Sequence, residues 1–209
     1  MVSINELFKF VLFMSTKYNI DSSHSESHSM DVLHFAHENY NNQVYFNPTL
    51  NNQLNVIYTA SILHDMCDKK YMKQDDGLKD IDRFLKDKLK PEELFYTKKI
   101  METMSYSTVK NNGFPELDDY QTAYHIVREA DLLSSYNFDR SIIYHMNRGN
   151  NFNTSYYNAL ELFEKRVFNY NHDKMFISQY AKDKSASLTI KSINQIVSCS
   201  KILSKAKLL

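Results

Sequence analysis

The chain has 209 residues, 43% of them hydrophobic, and its 25 basic and 25 acidic side chains give a net charge of zero. That is enough apolar material for a full core in one domain, with at most a small appendage. Charge balance and the lack of tryptophan disfavour a nucleic-acid partner, and two widely separated cysteines, Cys67 and Cys199, read as reduced thiols in a cytosol-like compartment rather than a zinc pair.

Only 3 Gly and 3 Pro punctuate the sequence and strict period-2 alternation is almost absent, so an all-α protein is expected. Ser3 with Glu6 forms the pattern of a capping box, opening a helix to about Tyr18 that carries Leu7, Phe8, Val11 and Leu12. The apolar run from Phe10 to Met14 follows Glu6 and Lys9 and precedes no small-residue cleavage site, so it reads as helix core and neither signal peptide nor membrane span. A polar Ser- and His-rich loop over 21–27 leads into a second helix ending near Tyr40. Asn47-Pro48 then caps a third, whose stripe of Leu50, Leu54, Ile57, Tyr58, Ser61 and Ile62 runs into His64-Asp65.

Beyond it, Leu78, Ile81, Leu85 and Leu89 trace an amphipathic helix, and Pro91-Glu92-Glu93 starts another that runs to about Met104. Tyr106 to Leu117, holding Gly113 and Pro115, is expected to be a long loop, either an active-site rim or a plain connector. Asp118 or Asp119 caps the next helix, through Tyr124, Val127 and Asp131 to about Tyr136. Further helices are expected near 138–148, 154–171, 173–182 and 187–206, with the Asn-rich patches as solvated loops.

Four side chains from three of these helices can be drawn together: His28 in HSMDV, His64 and Asp65 in LHDMCDKKY, and Asp131 in READLL. Their separations are useless for a local finger but natural for ligands projecting inward from the helices of a bundle. Two imidazoles and two carboxylates suit one divalent ion, with Mn²⁺, Ni²⁺, Fe²⁺, Zn²⁺ and Mg²⁺ left undistinguished. A competing reading makes His64-Asp65 a polar pair at a helix C-terminus, and His24, His34 and His37 crowd the segment that holds His28.

The order H…HD…D resembles the HD superfamily of metal-dependent phosphohydrolases. SHSESHSMDV is similar to the SHDxxHxxRV opening of the small bacterial HD nucleotide pyrophosphohydrolases, and LHDMCDKKY to their LHDxxDxKF segment. The likeness spans roughly residues 21 to 136. It implies an HD-type helical bundle over 1–150, with additional C-terminal helices over 151–209 packed on that domain or forming an oligomer face, as in a homodimer. It also implies His28, His64, Asp65 and Asp131 as metal ligands with Asp68 and Lys70 catalytic beside them. His24, Arg128 and Arg140 are candidate substrate contacts, and Lys110, His125 and His145 are further candidates for phosphate. The chain differs from those relatives at Ser25, Asp31, Glu129 and Ser134, which stand where they carry Asp, Arg, Asp and Asp.

The resulting expectation is a soluble, intracellular hydrolase acting on a phosphoanhydride or phosphoester bond of a small nucleotide. Release of pyrophosphate from an NTP or dNTP is the first reading, with phosphomonoesterase and cyclic phosphodiesterase activity nearly as compatible. The alternative is a catalytically degenerate HD domain acting as a nucleotide sensor or protein-interaction module. Cys67, between Asp65 and Asp68, reads as a buried inert thiol.

Overall fold

The computed structural model describes residues 2–206. Its described residues form α-helices and short 3₁₀ turns with no strand, so the fold is all-α. They cluster into two compact units, one reaching Asp131 and one starting at Leu132, with the boundary inside a helix.

The first unit is built around α3 (Leu54–Leu63). Val56, Ile57, Ala60, Ile62 and Leu63 of that helix are completely buried, as a helix apolar on every side must be. It is covered by α1 (Ile4–Tyr18), α2 (Glu26–Val44) and α5 (Pro91–Thr103), and α4 (Gln74–Leu85) packs on α5. The next elements are α6 (Tyr106–Asn112) and α7 (Gln121–Ser134). Tyr124 ties α7 to α5 through its hydroxyl on the Thr103 carbonyl, and Asn39 of α2 donates to the buried Glu129 of α7.

Several local expectations change. Asn47-Pro48 opens a 3₁₀ turn over Pro48–Gln53, and the α-helix follows it. The Ser3 hydroxyl makes no cap bond, and Glu6 pairs with Lys88 at 3.1 Å. A reciprocal carboxylate contact occurs instead at α5, where Glu93 accepts from the Lys90 N–H. The expected long loop is mostly α6: the Ser105 hydroxyl accepts from the Thr108 N–H, Val109 is buried beneath, and Gly113 ends the helix at a positive φ. Only 113–117 remains irregular there before the 3₁₀ turn Asp118–Tyr120.

One glycine shapes this unit. A methyl group on Gly77 of α4 would lie 2.8 Å from both Cys67 Cα and the Met66 carbonyl oxygen. Its bare Cα lets α4 press against the turn that carries His64 and Asp65.

In the second unit, α8 (Phe138–Asn147), α9 (Phe152–Lys165) and α10 (Gln179–Ala206) pack together over Phe138, Ile142, Tyr156, Phe163 and Tyr170. Asn137 and Asn151 accept from the Arg140 and Thr154 N–H groups, so Asn151, in an Asn-rich patch, is a helix cap rather than loop filler. The helices expected at 173–182 and 187–206 are one helix that starts at Gln179; the 3₁₀ turn Val167–Asn169 and an irregular stretch precede it. Ile190, Ile193 and Val197 of α10 are exposed.

Candidate metal centre

Three elements of the first unit deliver the cluster. Glu26 opens α2, so His28 lies in its first turn, on the same face as Val32, Leu33 and Ala36, and is buried with them. α3 stops at Leu63, which leaves His64 as its C-cap. The chain then turns tightly, Met66 N–H to Leu63 carbonyl and Asp68 N–H to Asp65 carbonyl, and the turn aims Asp65 back at the imidazoles. Asp131 comes from α7.

The four groups meet at short range. His28 Nε2 and His64 Nε2 are 3.0 Å apart. Asp65 Oδ2 stands 3.2 Å from the first and 3.4 Å from the second. Asp131 Oδ1 stands 3.4 and 3.6 Å from them. The ligand atoms of His28, His64 and Asp65 all fall within 4.8 Å of one another. His64 donates Nδ1–H to the Ser61 carbonyl at 2.9 Å, which orients the ring and turns Nε2 toward the cluster.

These residues fit a divalent cation. Bonds of about 2.1 Å to nitrogen and oxygen place neighbouring ligand atoms about 3.0 to 3.4 Å apart in octahedral or tetrahedral arrangements, close to the separations found. Asp65 Oδ2 is buried without a hydrogen-bond partner, an arrangement that costs free energy unless a cation or proton meets it. Without metal, protons take that part. Burial opposes charge on His64, yet the carboxylates of Asp65 and Asp131 and the Ser61 carbonyl raise its pKa from 6.5 to about 9. Burial also opposes charge on the two carboxylates, and the imidazoles outweigh it and hold both below the ordinary 3.8. The imidazolium of His64 can then donate Nε2–H to His28 Nε2.

A second network adjoins the first. Asp21 accepts from the Ser23 N–H and hydroxyl and from the Tyr71 hydroxyl. Tyr71 O is 3.0 Å from His24 Nδ1, and Lys70 Nζ is 3.4 Å from His24 Nε2. One proton assignment satisfies the series: Tyr71 donates to Asp21, His24 Nδ1–H to Tyr71, and Lys70 to His24 Nε2. Burial raises the Asp21 pKa, but His24, then Ser23 and Tyr71, outweigh it and hold its carboxyl far below the usual carboxylate range. The His24 and His28 rings meet edge-on with centroids 6.0 Å apart.

Of the residues expected from sequence, His28, His64, Asp65 and Asp131 are brought together and His24 stands beside them. Lys70 reaches His24 and also pairs with Asp68 at 3.3 Å, and Asp68 accepts the Lys70 N–H. Arg128 is buried one turn before Asp131 on α7. Arg140 belongs to the second unit, in the first turn of α8. Asp21 and Tyr71 were missed. Tyr71 closes the very segment that drew attention to His64, and its hydroxyl was the available signal.

No protein-family model matches the chain, and no curated protein matches it. A crystal structure of a protein from Lactobacillus plantarum is similar, with a TM-score of 0.67 and 19% sequence identity, covering 99% of this chain and 100% of that one. At that identity the likeness speaks for the fold alone.

Proposed function

We propose that this chain is a metal-dependent phosphohydrolase of the HD type, acting on a phosphoanhydride or phosphoester of a small nucleotide. The observation that carries the reading is the convergence of His28, His64, Asp65 and Asp131 on one point, with Asp65 Oδ2 buried and unbonded. The order of these residues along the chain, and their resemblance to the HD pattern, support phosphate chemistry.

His28 and His64 through Nε2, and Asp65 and Asp131 through one carboxylate oxygen each, would hold the ion. When bound, a divalent ion supplies acidity that makes hydroxide accessible near neutral pH and positive charge that offsets phosphate oxygens. The protein's remaining task is to position and neutralise the substrate, since phosphoryl transfer asks for little covalent chemistry from side chains. Lys70 supplies a point charge for a phosphate oxygen. Asp68 holds that ammonium on one side while His24 faces it on the other. His24, braced through Tyr71 and Asp21, accepts from that ammonium through Nε2 and so holds it in place.

The test is turnover after metal reconstitution. Chelator-treated protein reloaded separately with Mn²⁺, Ni²⁺, Zn²⁺ or Mg²⁺ receives a panel of NTPs, dNTPs, monophosphates and cyclic nucleotides. The double variant His64→Ala, Asp65→Ala serves as the blank. Product from the wild type alone supports the reading, and its identity as pyrophosphate, orthophosphate or linear monophosphate names the reaction. No turnover above the blank with any metal overturns the reading and leaves the sensor or interaction module as its replacement.

A further inference from the structure

Arg128 is the least satisfied charge among the described residues of the first unit. It is 1% exposed, yet its Nε and Nη1 have no hydrogen-bond partner. Nη2 comes within 3.5 Å of His125 Nδ1 and 3.7 Å of Glu129 Oε1, both long for a hydrogen bond. Glu129 is shared, because it also accepts from Asn39 at 3.2 Å.

The contact with His125 is weaker still than its distance suggests. Burial, and then the Arg128 charge, lower the His125 pKa to about 4, so the ring is neutral at pH 7 and has a single acceptor nitrogen. Two donors compete for it: Gln121 Nε2 at 3.1 Å from His125 Nε2, and Arg128. Gln121 is fixed as a donor on that side because its Oε1 accepts from the Leu117 N–H. The closer donor takes the lone pair, which leaves the guanidinium without a good acceptor. A lysine could escape by losing a proton; a guanidinium stays charged.

The cover over this cation is an aromatic ring. Phe114 lies 4.7 Å from the guanidinium carbon and Tyr124 lies 5.9 Å from it. Tyr124 is fully buried, whereas Phe114 is 38% exposed and stands in the short irregular segment just after Gly113. A half-exposed ring in the irregular segment 113–117 therefore stacks over the buried charge. Arg128 is three residues from Asp131 on α7, about 4.5 Å along the helix axis.

We propose that Arg128 anchors a phosphate group of the ligand, reached when Phe114 swings outward. Taken with the metallohydrolase reading, on which this second step rests, the substrate is a di- or oligophosphate. Its reacting phosphate lies at the four-residue cluster while a second phosphate pairs with Arg128, which supplies the acceptors the guanidinium lacks.

The test uses the full chain after chelator treatment, so its outcome does not depend on hydrolysis. Calorimetry at pH 7 with inorganic pyrophosphate compares wild type, Arg128→Met and Phe114→Ala, and thermal melts run alongside. Arg128→Met is expected to lose at least tenfold in affinity, and its melting temperature falls because the buried Glu129 carboxylate loses its cation, so the decisive comparison is between folded proteins at 25 °C. Phe114→Ala, which removes an exposed ring competing for the cation, is expected to bind severalfold more tightly. Equal affinity in wild type and Arg128→Met overturns the proposal. So does absence of pyrophosphate binding to the wild type, which leaves Arg128 as the structural partner of Glu129. If Arg128→Met does not fold, unchanged affinity in Phe114→Ala overturns it instead. Malonate binding as tightly as pyrophosphate overturns the assignment to phosphate. Failed turnover with Arg128-dependent binding intact removes the hydrolase and keeps the anion site; loss of binding with turnover intact does the reverse.

Discussion

Gly77→Ala is a one-methyl change on a helix, where alanine is normally the better residue by about 0.8–1 kcal/mol. Here the added carbon would meet Met72 Sδ at 2.7 Å, Cys67 Cα at 2.8 Å and the Met66 carbonyl oxygen at 2.8 Å. The thioether can rotate away, but the other two atoms belong to the backbone turn behind His64 and Asp65. Relief requires α4 or that turn to move by several tenths of an ångström. Overpacking of this kind costs about 1–3 kcal/mol, so the net loss after the helix gain is of order 1 kcal/mol. In a chain of this size that corresponds to a fall in Tm of roughly 2–4 °C. Circular dichroism melts of chelator-treated wild type and variant measure it, and a Mn²⁺ titration reads the second consequence, weaker ion binding from a displaced Asp65. A variant as stable as wild type with unchanged Mn²⁺ affinity would refute the claim that close approach of α4 sets the position of the site.

Two further outcomes follow from the electrostatics of the same region. In metal-free protein the His64 pKa is raised, so its contribution to stability is complete below 6.5 and disappears as pH rises through about 9. Those of Asp65 and Asp131, whose pKa values are lowered, are present above 3.8 and disappear as pH falls. Melts of chelator-treated protein across this range should therefore show the cluster's stabilisation between 3.8 and 6.5 and lose it toward 9; a Tm that climbs from 6.5 to 9 contradicts the geometry. Cys67 is buried, and burial with the nearby carboxylates of Asp65, Asp68 and Glu102 pushes its thiol up to about 12. Under native conditions Ellman's reagent should label the half-buried Cys199 first and Cys67 only after denaturant is added; equal native rates would show that the turn carrying the site opens readily.

What the sequence made legible follows the strength of its physical signals. His28, His64, Asp65 and Asp131 stood out because charged or imidazole groups beside apolar helix faces need partners, and the fold does bring them together. The three helices that carry them were legible from apolar periodicity, to within a turn or so at most ends. Elements whose ends depend on capping competition were harder. Ser105 outweighed the loop signals of Gly113 and Pro115 and made α6. Ser3, with the same apparent qualification, makes no side-chain cap, while Glu6 pairs with Lys88. The merged α10 contains neither Gly nor Pro, so nothing local obliged it to break; its polar Lys- and Ser-rich stretch only suggested an interruption. Arg128 was visible as a cation, but its want of acceptors depends on where Gln121, His125 and Phe114 fall in space, and no pattern along the chain records that.

The central claim is that four side chains of the first unit hold one divalent ion, and a Mn²⁺ titration of chelator-treated protein, followed by calorimetry and by loss of the free-ion EPR signal, tests it most directly. Wild type should bind one equivalent. His28→Ala and Asp131→Asn should each weaken binding by more than the roughly 10–100-fold that outer-sphere partners cost, while both keep the helical circular dichroism of wild type. Wild type that binds none of Mn²⁺, Ni²⁺ or Zn²⁺, or ligand variants that titrate like wild type, would contradict the account.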